Sequence, residues 1–367
     1  MRLNRIALGG FRNYEDFSAE FSPEMNVICG ENAQGKTNLV EAIAYLSGAK
    51  SHRARSDQEL IGFSRQEASI QAEVESRGRE FMIHVSLRKQ ARRTIEVNHV
   101  KLKKASELSG VLTTVLFCPE DLSLVKDGAA VRRRFLDDAI SQLRPKYADA
   151  LARYQKLLDH KTRILRDAAE KPSLLTVLPE FEEGLARTGA LLIHYRAHFI
   201  RRLNSHAMTI AADFSGGRDS LALRYETVST IVDPFAPPLL LYEQIREHQE
   251  EHRRAELASR SCLSGPHKDD LVAELDGISA RQFASQGQSR TIALSLKLAQ
   301  RELFAEDTGS FPVLLLDDVL SELDAKRQDF VLERIRGGQV FLTGCSIPNF
   351  ERENHRVLAI EQGRLRL

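Results

Sequence analysis

Gly30-Glu31-Asn32-Ala33-Gln34-Gly35-Lys36-Thr37 satisfies the phosphate-binding loop pattern G-x-x-x-x-G-K-[ST] at every position. Its flanks suit it. Met25-Asn26-Val27-Ile28-Cys29 before it is short and mostly apolar, as a buried strand is. After it, Asn38 to Leu46 carries apolar residues at helical spacing. A loop joining such a strand to such a helix turns its backbone N–H groups toward a polyphosphate lying on the helix N-terminus. Gly30 and Gly35 let the backbone approach closely, and Glu31, Asn32, Ala33 and Gln34 form the turn between them. Lys36 is expected to neutralise the β- and γ-phosphates, and the Thr37 hydroxyl to ligate Mg²⁺. The stretch predicts an α/β nucleotide-binding fold.

Bulk properties bound the answer without deciding it. A chain of 367 residues suggests two domains, or one interrupted domain. Lys plus Arg total 52 against 51 Asp plus Glu, so no global charge points to nucleic acid or membrane. Any DNA contact must come from local basic patches. Cys29, Cys118, Cys262 and Cys345 are scattered without metal spacing and read as small buried residues of a reducing compartment. No apolar run approaches the ~20 residues of a membrane span. Met1-Arg2-Leu3-Asn4-Arg5-Ile6 is strand-like and lacks a signal-peptide core, so a cytoplasmic protein is expected.

Periodicity divides the chain. Leu3 to Leu8, Ala68 to Val74 and Phe81 to Leu87 alternate as strands, and Val111 to Phe117 is a near-continuous apolar run. Then Leu136, Ile140, Leu143, Tyr147, Leu151, Tyr154 and Leu158 recur at spacings of three and four. Pro145 interrupts this stripe and should open a new helix. A second stripe runs from Phe181 through Leu192 to Leu203, and the two predict an antiparallel helical hairpin joined near Lys171-Pro172-Ser173. A strand at Leu221 to Tyr225 and a helix at Leu241 to Arg260 follow. Leu271 to Leu275, Asp276-Gly277 and Ile278 onward predict a hairpin with a type I′ turn. Ile292 to Leu303 predicts a helix, and Pro312 to Leu316 and Val340 to Thr343 buried strands. These elements predict an ATPase head from residues 1–126 and 261–367, with a mainly helical insertion at 127–260. No internal repeat or low-complexity segment is visible.

Val313-Leu314-Leu315-Leu316-Asp317-Asp318 has the form of a Walker B element, an apolar strand ending in two carboxylates. Set beside the phosphate-loop strand, it would deliver Asp317 to the Mg²⁺ shell and Asp318 to the attacking water. Upstream, Ala284-Ser285-Gln286-Gly287-Gln288-Ser289-Arg290 precedes a helix. Its place between phosphate loop and Walker B matches the Ser-Gly-rich signature of ABC-class ATPases, which binds the γ-phosphate of ATP held by a second subunit. Such a layout makes each half-site incomplete and dimerisation ATP-dependent.

The chain resembles the RecF family, the SMC-like ATPases of bacterial gap repair. The resemblance rests on Gly30–Glu41 (GENAQGKTNLVE), Phe117–Leu122 (FCPEDL) and Arg132–Asp137 (RRRFLD). It continues in Gly265–Leu271 (GPHKDDL), Ser285–Leu298 (SQGQSRTIALSLKL) and Leu314–Asp324 (LLLDDVLSELD). It implies an ABC-type head with a short helical arm, an ATP-bound homodimer on double-stranded or gapped DNA, and cooperation with RecR and RecO. Carried over by position, Lys36 and Thr37 hold phosphate and Mg²⁺, Asp317 completes the metal shell, and Asp318 is the hydrolytic carboxylate. Ser285, Gly287 and Gln288 reach the partner's ATP, Asp324 belongs to the dimer-spanning loop, and Thr343 stands where transporter ATPases carry a switch histidine. A Q-loop glutamine is not evident, Glu120 being the nearest polar candidate. Asp318 is one methylene shorter than the Glu of transporter ATPases, so slow hydrolysis is expected; a turnover well above the ~10 s⁻¹ median of enzymes would contradict it.

Lys101-Leu102-Lys103-Lys104, Arg132-Arg133-Arg134, Arg201-Arg202 and Arg253-Arg254 are candidate phosphate contacts, although a solvated face is the commoner reading of any one such cluster. Arg132 to Arg134 could instead pair at the arm's root. Arg53 is open between a nucleotide or DNA contact and a surface arginine. His267, in Gly265-Pro266-His267-Lys268-Asp269-Asp270, reads as a hydrogen-bonding loop histidine, in a motif where the family would carry Arg for Lys268. Two other functions compete: a transporter's nucleotide-binding subunit, disfavoured by the missing switch histidine and the long insertion, and a scaffold that needs ATP binding without hydrolysis.

Overall fold

The computed structural model describes residues 1–344 and 355–366; Cys345 and Leu367 lie outside the described residues. Two compact units divide the chain, Met1–Ser123 with Ala293–Leu367, and Leu124–Ile292.

The first unit begins with β1 (Arg2–Phe11), β2 (Tyr14–Glu20), β3 (Met25–Cys29), α1 (Lys36–Tyr45), β4 (Glu67–Ser76), β5 (Arg79–Arg88), β6 (Thr94–Val97), β7 (Val100–Lys101) and β8 (Thr114–Phe117). The alternating segments pair as an antiparallel sheet in the order β2-β1-β4-β5-β6-β7. Ile6, Leu8, Ile70, Ala72, Ile83 and Val85 bury one face, and their polar neighbours stay on the other. β2 and β6 escaped the periodicity argument because YEDFSAE and TIEV are short and polar; hairpin pairing to β1 and β5 makes them strands. The apolar run at 111–117 becomes strand only from Thr114, with Val111 and Leu112 packing in the preceding turn.

The second unit holds α2 (Ala129–Leu143), α3 (Pro145–Asp167), α4 (Leu178–Ser215), β9 (Leu221–Glu226), α5 (Pro238–Ser259), β10 (Asp270–Leu275), β11 (Ile278–Ser279) and α6 (Ala280–Phe283). Pro145 occupies the first turn of α3, where its missing N–H costs nothing. Tyr147 meets Arg196 while Lys161 meets Glu182, so α3 and α4 run antiparallel as the stripes predict. Asp276 (φ 53°) and Gly277 (φ 77°) form the expected primed turn between β10 and β11.

The unit boundary falls later than the 260/261 junction expected from sequence, and hydrogen bonding explains it. β10 pairs along its whole length with β9, from Asp270↔Glu226 to Leu275↔Leu221, which binds residues 261–292 to the insertion. Buried charges reinforce this pairing. Arg132 binds Asp270 through two bonds of 2.7 Å, and Arg133 donates to the Asp269 carbonyl at 2.6 Å. Arg196 donates to the Pro266 carbonyl at 2.7 Å and to carboxylates of Asp137 (2.8 Å) and Asp269 (3.1 Å). The Tyr154 hydroxyl donates to His267 Nδ1 at 2.7 Å, while Nε2 donates to the Cys262 carbonyl at 3.0 Å. Burial then holds the imidazole neutral, lowered to about 4. Gly265 is required here, since a Cβ would lie 2.5 Å from the Tyr154 hydroxyl. His267 is therefore a hydrogen-bonding loop histidine, and the GPHKDD segment is an anchor in which Lys268 alone is exposed.

The chain returns through α7 (Gln286–Thr308), β12 (Val313–Leu316), α8 (Ala325–Arg334), β13 (Val340–Gly344), β14 (His355–Glu361) and β15 (Arg364–Leu365). A second six-stranded sheet among the described residues has the order β15-β14-β3-β13-β12-β8. β14, β3, β13, β12 and β8 are mutually parallel, and β3 and β12 are buried at every residue.

Replacing Arg132 with Ala leaves the largely buried Asp270 carboxylate unpaired, which should cost about 3 kcal/mol. The exposed Arg134→Ala should leave the thermal midpoint unchanged, and a melting comparison of the two variants checks the assignment.

Candidate nucleotide site

Parallel strands in one sheet end at one edge, and side chains that follow their carboxyl ends converge there. β3 delivers the phosphate loop, β12 delivers Asp317 and Asp318, and β13 delivers Thr343. Sequence reasoning set the Walker B strand next to the phosphate-loop strand; β13 stands between them. The intervening strand is what links the two motifs.

Thr37 Oγ1 donates to Asp317 Oδ1 at 3.2 Å, and Thr343 Oγ1 donates to the same oxygen at 2.9 Å. The Asp318 N–H in turn donates to Thr343 Oγ1 at 2.8 Å. One buried hydroxyl thus fixes both Walker B residues. Asp318 itself has φ 51°, an uncommon conformation for a residue with a side chain, and its carboxylate is half-buried. Burial raises the Asp317 pKa against the opposing hydrogen bonds of Thr343 and Thr37. A hydroxyl and a carboxylate are hard oxygen donors, the set that suits Mg²⁺ completed by water and phosphate.

The loop's conformation depends on its glycines. A Cβ on Gly30 would meet the Ile360 carbonyl at 2.4 Å, and one on Gly35 (φ 116°) would meet the Asn13 amide at 2.7 Å. Lys36 is almost wholly buried, and its ammonium donates to the Gly30 (2.7 Å) and Glu31 (3.0 Å) carbonyls.

Two turns not singled out in the sequence brace the loop from outside. Asn13 Nδ2 donates to the Gln34 carbonyl at 3.0 Å, and the Tyr14 hydroxyl to the Gly35 carbonyl at 2.9 Å. From the β14–β15 turn, Gly363 N–H reaches the Gln34 carbonyl and Gln362 N–H the Gln34 Oε1. Behind α1, Arg12 grips the fully buried Glu41 with two bonds of 2.9 Å, joined by Ser51. Burial opposes the Glu41 charge, but Arg12 and Ser51 outweigh it and hold its pKa below the usual carboxylate range. The only sequence signals were an Asn-Tyr pair after a strand and a Glu within a helix, both too common to single out.

The remaining expected residues sit as follows. Ser285 and Gln288 cap the start of α7 reciprocally: Ser285 N–H donates to Gln288 Oε1 at 3.0 Å, and Gln288 N–H to Ser285 Oγ at 3.2 Å. The Gly287 carbonyl accepts from Thr291 Oγ1. Asp324 caps α8, accepting from Arg327 N–H at 3.0 Å. Arg53 is exposed, donates to Asn38 Oδ1 at 3.2 Å and exerts its charge on Asp317, so its guanidinium lies in electrostatic reach of the site. Glu120 is exposed; its neighbour Asp121 pairs instead with Lys297 at 2.8 Å. Of the cysteines, Cys29 and Cys262 are buried and Cys118 is half-buried.

A phosphate loop and a Walker B strand on this sheet, in a chain with an inserted, mainly helical unit, define an ABC-type P-loop ATPase head. Comparisons narrow the class. The family profile described as RecF/RecN/SMC N terminal domain matches residues 2–361. The DNA replication and repair protein RecF of Agathobacter rectalis is 41% identical over 97% of this chain and 96% of its own length. The solved structure of the recombination mediator protein RecF-ATPrS in the RecFOR pathway superposes with a TM-score of 0.93 at 33% identity, over 99% of this chain and 97% of that one. An Smc head domain from Pyrococcus furiosus shares the fold, at a TM-score of 0.54 and 16% identity, over 99% and 95%. The chain belongs to the RecF family.

Thr343→Val keeps the branched shape that suits β13 but deletes the shared hydroxyl. Losing a hydrogen bond to a charged group is worth about 1.5–3 kcal/mol, so ATP turnover should fall at least tenfold. Thr343→Ser should retain most turnover, and steady-state kinetics on both variants separate the hydroxyl from the packing.

Proposed function

We propose that the chain is an ATP-dependent DNA-binding protein of recombinational repair and replication-fork maintenance. The observation that carries this is the Thr37–Asp317–Thr343 junction, which assembles both Walker elements in a chain whose relatives are named for DNA replication, repair and recombination mediation. In this reading, Lys36 and the loop N–H groups hold the ATP phosphates, and Thr37 with Asp317 holds Mg²⁺. The ion, when bound, supplies charge neutralisation at the β- and γ-phosphates. Asp318 orients the attacking water and accepts its proton.

Ser285, Gly287 and Gln288 face the ATP of a second copy, and Asp324 belongs to the same interface. Two copies then close on duplex or gapped DNA, and hydrolysis opens them. Asp318 is one methylene shorter than the glutamate of transporter ATPases, which favours slow, timed turnover over motor-like cycling. DNA would be held through its backbone by exposed basic residues such as Lys103, Arg134, Arg253 and Arg254. Arg132 is excluded from that role by its buried ion pair. RecR, with RecO, is the expected mediator partner, and the cytoplasm the expected compartment; no helix among the described residues is long and apolar enough to cross a membrane.

Solution mass by light scattering, with and without ATP and Mg²⁺, tests the composite site. Wild type should double only with ATP, and Ser285→Arg should remain a monomer; unchanged wild-type mass would overturn the reading. Asp318→Asn should still double but turn over at least about a hundredfold more slowly, the contribution typical of a general base.

A further inference from the structure

The turn joining β4 to β5 is Arg77-Gly78, with φ of 53° and 69°. These are the positive values of a two-residue type I′ turn, where Asn-Gly or Asp-Gly adopts the conformation with least strain. An arginine in the first position is therefore not explained by backbone preference. Its guanidinium extends toward Gly110 instead, with one nitrogen 3.9 Å from where a Cβ on that glycine would lie.

Arg77, Arg79, Ser76, Phe81 and Gly110 line a cavity of about 330 Å³. The pairing register shows why they meet. Ser76 lies opposite Arg79, and Phe81 follows two residues on, so all three share one face of the sheet. Glu75 and Glu80 oppose each other one step out of phase, which sends their carboxylates to the other face. Among the described residues, neither Arg77 nor Arg79 is paired with a carboxylate. Ser76 is 1% exposed, and its hydroxyl is buried without a hydrogen-bond partner.

A buried, unpartnered hydroxyl is costly in a native fold and calls for an acceptor. Two unpaired guanidiniums on the same cavity specify that acceptor as an anion with several oxygens, which fork-shaped donors bind best. The volume is at the lower end for small-ligand sites, enough for a phosphate group and the adjoining sugar. Phe81 supplies an apolar wall for that sugar.

We infer that Ser76, Arg77 and Arg79 form a phosphate-binding subsite that takes a backbone phosphate of a nucleic-acid strand. The inference rests on the DNA-binding reading above and adds to it a specific seat on the first unit, away from the nucleotide site. Because phosphate contacts position a duplex without reading its bases, the subsite contributes affinity and orientation, not sequence preference.

The test is fluorescence anisotropy of a labelled gapped duplex with wild type, Arg77→Ala, Arg79→Ala and Ser76→Ala, titrated over salt in the presence of ATP and Mg²⁺. Each arginine variant should bind several-fold more weakly and lower the salt slope by about one, the signature of one lost phosphate contact. Ser76→Ala should also weaken binding while melting at or above the wild-type temperature. That combination excludes a purely structural role for the hydroxyl, since removing an unsatisfied buried group cannot itself unfold the protein. ATP affinity should be unchanged throughout.

Variants that bind the duplex as wild type does would overturn the subsite and leave the DNA-binding reading standing. Isothermal titration with inorganic phosphate and with AMP forms the second arm. If either binds wild type but not the arginine variants, while duplex binding is unaffected, the cavity takes a free phosphate compound and the inference is wrong. A wild-type protein that binds no duplex overturns both readings.

Discussion

A single carboxylate oxygen holds the nucleotide site together. Asp317 Oδ1 accepts from Thr37, at the start of the phosphate-loop helix, and from Thr343, at the end of the neighbouring strand. Thr37 precedes Asp317 by 280 positions and Thr343 follows it by 26, yet parallel pairing of β3, β13 and β12 brings their ends to one edge. Hydrogen bonds of 2.9 to 3.2 Å tolerate little sliding, so the register of these buried strands fixes the site's geometry. Thr343 adds a second function, since the oxygen that donates to Asp317 also accepts from the Asp318 N–H and so holds that residue in its left-handed conformation.

The second unit relies on a different device. Its helices are amphipathic enough to pack as a hairpin, but the charges at their roots are buried with them. Lys161, fully buried, pairs with Glu256 at 2.6 Å and Glu182 at 3.4 Å, and Arg196 gathers Asp137 and Asp269. Such clusters contribute little net stability compared with apolar packing, but breaking one partner is expensive. Lys161 ties α3 to α4 and α5, and Arg196 ties α4 to α2 and to the GPHKDD segment. Within the motif, Asp269 pairs with Arg196, Asp270 pairs with Arg132, and His267 is held by Tyr154 and the Cys262 carbonyl.

The phosphate loop is likewise shaped from outside itself. Asn13, Tyr14, Gln362 and Gly363 supply hydrogen bonds to Gln34 and Gly35 from two separate turns. Preorganisation of this kind matters because the loop's N–H groups act only when they all point the same way.

By itself the sequence determined what local pattern can determine. The eight residues from Gly30 to Thr37, the apolar strand ending in Asp317 and Asp318, the helical stripes broken at Pro145, and the Asp276-Gly277 turn each carry their own instruction in spacing and composition. Ser285 and Gln288 were legible only as part of a polar turn before a helix; their reciprocal cap on α7 came from the structure. Tertiary structure alone decided the strand order, and hence that β13 separates the two Walker strands. It also decided that residues 261–292 belong with the insertion, because β9 and β10 find each other only in space. The buried role of Arg132, the brace around Gln34 and the convergence of Arg77, Arg79 and Ser76 have the same origin. Charges and amides look alike in a sequence whether they face water or a partner, and only packing, which sets desolvation and distance, separates the two.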